Sequence, residues 1–239
     1  VDTENYVGTP GYYFLVVFCV LLPLLVVRSS RRLMTGALAP WPAYFISVVS
    51  QQIFFAAFSL WVAYNEAINL FTPPPRPMRS ALIGTAFLAV MIVAMAPQWR
   101  RSVEERERRL YYFMPRTPQQ KLMWVFLSLF AGVGEEIAYR GVMFVLFSRL
   151  TGAPLAASLL TAVVFAFCHY VQGWKSMAVI FLFALSFQAL VYVTGTLFVA
   201  MAVHFLYDVT AGMMYGYFGD KLGYPVEGIQ PEGTVASAD

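Results

Sequence analysis

Charge is what this chain has least of. Only 12% of its 239 residues are Asp, Glu, Lys or Arg, about half the share found in ordinary soluble domains. Cysteine is nearly absent too. Cys19 and Cys168 both sit inside apolar runs, which excludes a disulfide-stapled secreted domain and reads both as small apolar side chains. There are only two histidines, again within apolar runs. With 59% apolar and 17% aromatic residues, neither a disordered chain nor a soluble enzyme fits.

The apolar residues gather into runs at 11–27, 43–71, 80–96, 122–150, 153–171, 175–194 and 196–218. A helix needs about 20 apolar residues to cross the ~30 Å hydrocarbon core. A backbone in hydrocarbon must also satisfy its own hydrogen bonds, which leaves helix as the reading for each run. The predicted fold class is therefore all-α: a polytopic transmembrane helix bundle of about seven spans. It is read as one integral membrane domain over residues 1–239, with a motif-bearing core at 120–218 and a cytoplasmic tail at 219–239. The first run ends in positive charge, which suits an anchor rather than a cleaved leader.

Orientation follows from the cations. With the N-terminus outside, the inner segments hold Arg28, Arg31, Arg32, Arg100, Arg101, Arg106, Arg108, Arg109, Arg116, Lys121, Lys175 and Lys221, against Arg76, Arg79 and Arg149 outside. That asymmetry is the positive-inside pattern and puts the tail in the cytoplasm. The charged stretch 100–109 pairs opposite signs at i,i+4 (Arg100/Glu104, Arg101/Glu105, Glu104/Arg108, Glu105/Arg109) and reads as a solvated cytoplasmic helix.

Apart from Arg149 and Lys175 at the very ends of their runs, seven ionisable residues fall inside the apolar runs: Glu66, Glu135, Glu136, Arg140, His169, His204 and Asp208. Burying charge there costs about 2.5–3.5 kcal/mol per residue on insertion scales, so such residues mark functional sites by default. Glu66 lies near the outer end of a long run and takes a structural reading. Glu136 and Arg140 are four apart and share a helix face, whereas Glu135 points roughly 100° away. One carboxylate is thus matched to arginine and the other left free. His204 and Asp208 also share a face.

A carboxylate and a histidine can together deprotonate a water. A second histidine with a hydrogen-bonding neighbour can stabilise the oxyanion formed at a carbonyl. These parts suffice for amide hydrolysis without a covalent intermediate. Other protease chemistries fit less well. The sequence has no His-Glu-x-x-His helix and no Gly-x-Ser-x-Gly elbow, and Cys168 adjoins His169 rather than facing it. An Asp208/Asp220 dyad would put its second member near the cytoplasmic edge.

Three patterns, Glu135-Glu136-x-x-x-Arg140, Phe165-x-x-x-His169 and His204-x-x-x-Asp208, occur in this order on separate predicted spans. Together they resemble the CAAX prenyl protease and bacteriocin-processing (CPBP or Abi) family of intramembrane glutamic endopeptidases, over about residues 120–218. The resemblance implies that Glu135 and His169 activate the attacking water, that His204 and residue 208 line the oxyanion site, and that Glu136 and Arg140 hold the site together. It also implies a bacterial inner or plasma membrane location and links to bacteriocin immunity or maturation. The better-studied prenyl proteases carry asparagine where this chain has Asp208, and an ionised aspartate cannot donate to an oxyanion. Asp208 must then be protonated or orient His204.

Expected partners are membrane lipid and a membrane-associated peptide or protein, lipidated or hydrophobic at its C-terminus. Nothing points to nucleic acid, a cofactor or a bound metal. Three rival readings remain: a metal-dependent hydrolase using Glu135, His169 and His204 as ligands, a proton-coupled transporter, and an inactive membrane scaffold. Uniform spans would also put Glu135 ~20 Å from the inner side and His169 close to it. Either a break in the fourth helix near Gly132, after an interfacial turn at 121–129, or an early end of the fifth helix reconciles the two depths, and the first is the expectation.

Overall fold

A computed structural model describes residues 6–36 and 39–224. Seven helices make up the bundle: α1 (Thr9–Arg32), α2 (Trp41–Asn65), α3 (Pro77–Glu104), α4 (Pro118–Thr151), α5 (Pro154–Cys168), α6 (Trp174–Thr194) and α7 (Leu197–Leu222). No strand occurs among the described residues. Each of the first five helices starts with proline in its first turn, where the missing N–H costs nothing and φ is already helical. Thr117 opens α4 with a capping box, its hydroxyl accepting from Gln120 N–H while the Gln120 side chain accepts from Thr117 N–H. Gly152 closes α4 in the left-handed region, at φ 64°.

Six of these helices are long and apolar enough to cross a membrane. The fifth is the exception. Its 15 residues span about 22 Å, short of the ~30 Å core. It stops at Cys168 and leaves His169 at its C-cap. The expected break near Gly132 does not occur: α4 is helical throughout its 34 residues. The depth conflict is thus removed by the early end of α5. The second run likewise ends sooner than its hydropathy suggests, at Asn65, with Glu66 as C-cap and Ala67 at φ 53°.

The 100–109 segment also departs from expectation. Arg100 and Glu104 pair at 2.8 Å, but α3 ends at Glu104 and the chain turns at Arg106, φ 52°. Glu104/Arg108 and Glu105/Arg109 therefore no longer share a helix face. Arg108 instead donates to the Gly36 carbonyl, and Arg109 to the Gln172 carbonyl at 3.1 Å. This connection straps one end of the bundle rather than projecting as a solvated helix. Both cysteines are free. α7 runs to Leu222, and residues 225–239 of the expected tail lie outside the described residues.

α4 is the central helix. Its apolar window is 61% buried inside the protein, against 39% or less in the other spans, and it packs on α2, α5 and α7. An aromatic column runs past it: Phe14 on Phe18 (ring centroids 4.3 Å apart), Phe18 on Tyr139 (5.6 Å), Tyr139 on Phe165 (4.8 Å) and Phe165 on His169 (4.6 Å). The column joins the core to His169 at the C-terminal end of α5.

Glu66 takes the structural role read from the sequence. Its carboxylate accepts from Gly8 N–H (3.1 Å) and Gly11 N–H (2.9 Å) at the start of α1, and from Arg149 (3.2 Å) at the end of α4. A buried carboxylate here satisfies orphan donors at the positive end of a helix. Replacing Glu66 by alanine strands two N–H groups and Arg149. The expected cost is about 1–3 kcal/mol, measurable as a lowered unfolding midpoint of the purified protein in detergent.

Candidate active site

The sequence Gly132-Val133-Gly134-Glu135-Glu136 places glycines three residues and one residue before the first carboxylate, and the two glycines face different neighbours. A Cβ at Gly132 would lie 2.8 Å from Phe205 N and 3.2 Å from the Met201 carbonyl of α7. A Cβ at Gly134 would lie 3.0 Å from the Gln52 carbonyl of α2. Lacking side chains, these positions let two backbones press against α4, one from each side. α7 thereby brings in His204, and α2 brings in Gln52.

Beyond Glu135 the helix widens. Residues Glu136–Met143 are π-helical and all buried, a geometry found mostly as short insertions at functional sites. Within it, Arg140 donates to Glu136 Oε1 at 2.9 Å, with Glu136 0% and Arg140 4% exposed. The i,i+4 pair expected from the sequence is therefore formed in full burial. Two aromatic faces enclose the guanidinium, Phe165 at 4.5 Å and Phe187 at 5.2 Å.

His204 is the hub of the cluster. Its Nδ1 lies 2.8 Å from the same Glu136 oxygen, and a carboxylate accepts, so this nitrogen carries hydrogen. Its Nε2 lies 3.5 Å from Asp208 and 3.9 Å from Glu135, partners suited to an N–H rather than a lone pair. The Asp208 backbone carbonyl accepts from Trp124 Nε1 at 2.8 Å, which ties this turn of α7 to α4.

His169 is arranged differently. Its Nδ1 lies 2.8 Å from the Phe165 carbonyl. A carbonyl can only accept, so Nδ1 is the donor, and in the neutral ring Nε2 keeps its lone pair. Phe165 thus holds His169 twice, by its carbonyl and by its ring, while its ring also covers Arg140. No hydrogen bond or ion pair of the described residues joins His169 to Glu135; Glu135 instead accepts from Gln52 Nε2 at 2.8 Å and faces His204.

Five of the six predicted residues, Glu135, Glu136, Arg140, His204 and Asp208, form one connected cluster. His169 adjoins it through Phe165. Sequence reasoning missed Gln52 and Phe187. The glutamine pair Gln51-Gln52 within the second apolar run was a usable signal for the first, whereas nothing marked Phe187 among 21 phenylalanines. Among the described residues no three His, Cys, Asp or Glu side chains are grouped so as to hold a metal ion.

The all-helical bundle, with six helices long and apolar enough to cross a membrane, is that of an integral membrane protein, and it holds a buried carboxylate–histidine cluster. Residues 117–210 match the family described as type II CAAX prenyl endopeptidase Rce1-like. The matched segment runs from the N-cap of α4 into α7 and contains all six candidate residues, so over this part the chain is similar to that endopeptidase family. Neither the curated proteins nor the solved structures give a match.

Proposed function

We propose that this protein is an intramembrane endopeptidase in which Glu135 and His169 activate water for direct attack on a peptide bond. The observation that carries the proposal is the division of labour between the two histidines. His169, pinned through Nδ1 by the Phe165 carbonyl, offers a lone pair at Nε2. His204, set between carboxylates on both ring nitrogens, offers a donor.

In this scheme water, flanked by the Glu135 carboxylate and His169 Nε2, gives up a proton to them as its oxygen bonds to the scissile carbonyl carbon. His204 Nε2–H donates to the oxyanion that results. Collapse of the tetrahedral intermediate breaks the C–N bond, and the proton taken from water passes to the departing amine. Glu136 and Arg140 fix His204 through Nδ1. Asp208 orients His204 rather than donating to the oxyanion, which accommodates aspartate at this position.

The substrate class that suits the site is a hydrophobic or lipidated C-terminal peptide at the membrane, in keeping with the family's prenyl-peptide chemistry. The cation distribution supports an N-terminus outside and a cytoplasmic C-terminus.

The test uses purified protein in liposomes with paired farnesylated and unmodified peptides, each with and without a chelator. Cleavage that survives the chelator is expected. Cleavage abolished by chelator and restored by zinc would transfer the site to a metal-dependent mechanism.

A further inference from the structure

Gln52 lies on α2, outside the matched segment, and no family pattern read from the sequence includes it. It is 4% exposed on a membrane-spanning helix, whereas the adjacent Gln51 is exposed. Its Nε2 donates to Glu135 Oε1 at 2.8 Å, and its own Oε1 has no partner. The amide orientation follows from chemistry, because only the NH2 end can face a carboxylate.

A buried glutamine with an unsatisfied acceptor is a poor packing residue. The orphaned oxygen carries a desolvation penalty that a leucine or methionine would avoid. The contact is also built from both sides. Gly134 lets α2 approach so closely that a Cβ there would lie 3.2 Å from Gln52 Oε1. A glycine is thus spent on bringing this amide to this carboxylate.

We propose that Gln52 is a positioning residue of the hydrolytic site: its amide fixes the Glu135 carboxylate through Oε1, leaving Oε2 to face His204 and the reacting water. The proposal rests on the reading of Glu135 as a base. Without the amide, Glu135 keeps only the longer 3.9 Å approach to His204, and its carboxylate can rotate out of line. Misplacement of a catalytic group by about 1 Å costs on the order of a hundredfold in rate.

The experiment compares wild type, Gln52→Met, Gln52→Glu and Glu135→Gln in liposomes on a farnesylated fluorogenic peptide. Gln52→Met keeps volume without the donor, and Gln52→Glu keeps shape but replaces the neutral amide by a carboxyl that must share a proton with Glu135. Both are expected to lower kcat by about tenfold to a hundredfold with KM within about twofold, uniform binding being untouched. In parallel, infrared difference spectra of 13C-glutamate-labelled protein identify the Glu135 band as the one lost in Glu135→Gln, with no substrate needed. That band is expected to shift in both Gln52 variants.

Wild-type kcat in both Gln52 variants, or an unmoved Glu135 band, would overturn the proposal. So would a loss confined to Gln52→Met, accompanied by a lowered unfolding midpoint and restored in Gln52→Glu, since that is a packing role. Full cleavage by Glu135→Gln would instead remove the base reading itself, and the positioning role with it.

Discussion

Replacing Glu135 by glutamine is expected to lower turnover of a cleavable membrane peptide by about 10²–10⁴-fold, the range lost when a general base is removed. Shape and hydrogen-bonding capacity are largely kept. Gln52 Nε2 can still donate to the new amide oxygen, so the α2–α4 contact at 2.8 Å persists and the protein stays folded. The variant separates chemistry from architecture because Glu135 is not part of the buried ion pair. Single-turnover cleavage in liposomes, read beside the unfolding midpoint, checks both halves: the rate falls and the midpoint holds.

Arg140→Leu is expected to act in the opposite way, through stability first. Arg140 and Glu136 are ion-paired with side chains 2% and 0% exposed. Removing one member of such a pair strands the other charge in a low-dielectric site, at about 3–5 kcal/mol. The guanidinium also packs between Phe165 and Phe187, contacts that leucine only partly replaces. Since Glu136 also orients His204, what folded protein remains should be inactive. The expected result is a large fall in the unfolding midpoint and in the yield of monodisperse protein. Size-exclusion chromatography and thermal unfolding in detergent measure it, and a wild-type midpoint would contradict the ion-pair account.

Much of this was legible in the sequence, for definite reasons. Apolar runs in a membrane protein have one backbone solution, so the helices could be read from hydropathy alone. The Glu136–Arg140 pair follows from helical periodicity, and the His204–Asp208 proximity from the same i,i+4 spacing. What could not be read were contacts between helices, because hydropathy does not report rotation or tilt. Gln52 meets Glu135 across 83 positions of sequence, and His204 meets Glu136 across 68.

Helix ends misled for a related reason. The apolar runs extend to residues 171 and 71, yet α5 stops at Cys168 and α2 at Asn65, with His169 and Glu66 as C-caps. In both places turns that hydropathy does not register override the run. The break expected near Gly132 treats the glycines before Glu135 as helix breakers. They provide close packing, on two sides of one unbroken helix.

The central claim is that a carboxylate on α4 and an imidazole at the end of α5, which make no direct hydrogen bond or ion pair with each other, act on the same water. The most direct measurement is a double-mutant cycle of Glu135→Gln and His169→Ala, with the cleaved bond identified by mass spectrometry. Groups that work as a unit give grossly non-additive losses. The account predicts that the double variant is no slower than the slower of the two single variants, with the cleavage position unchanged in any residual product. Losses that multiply, or full activity in His169→Ala, would contradict it.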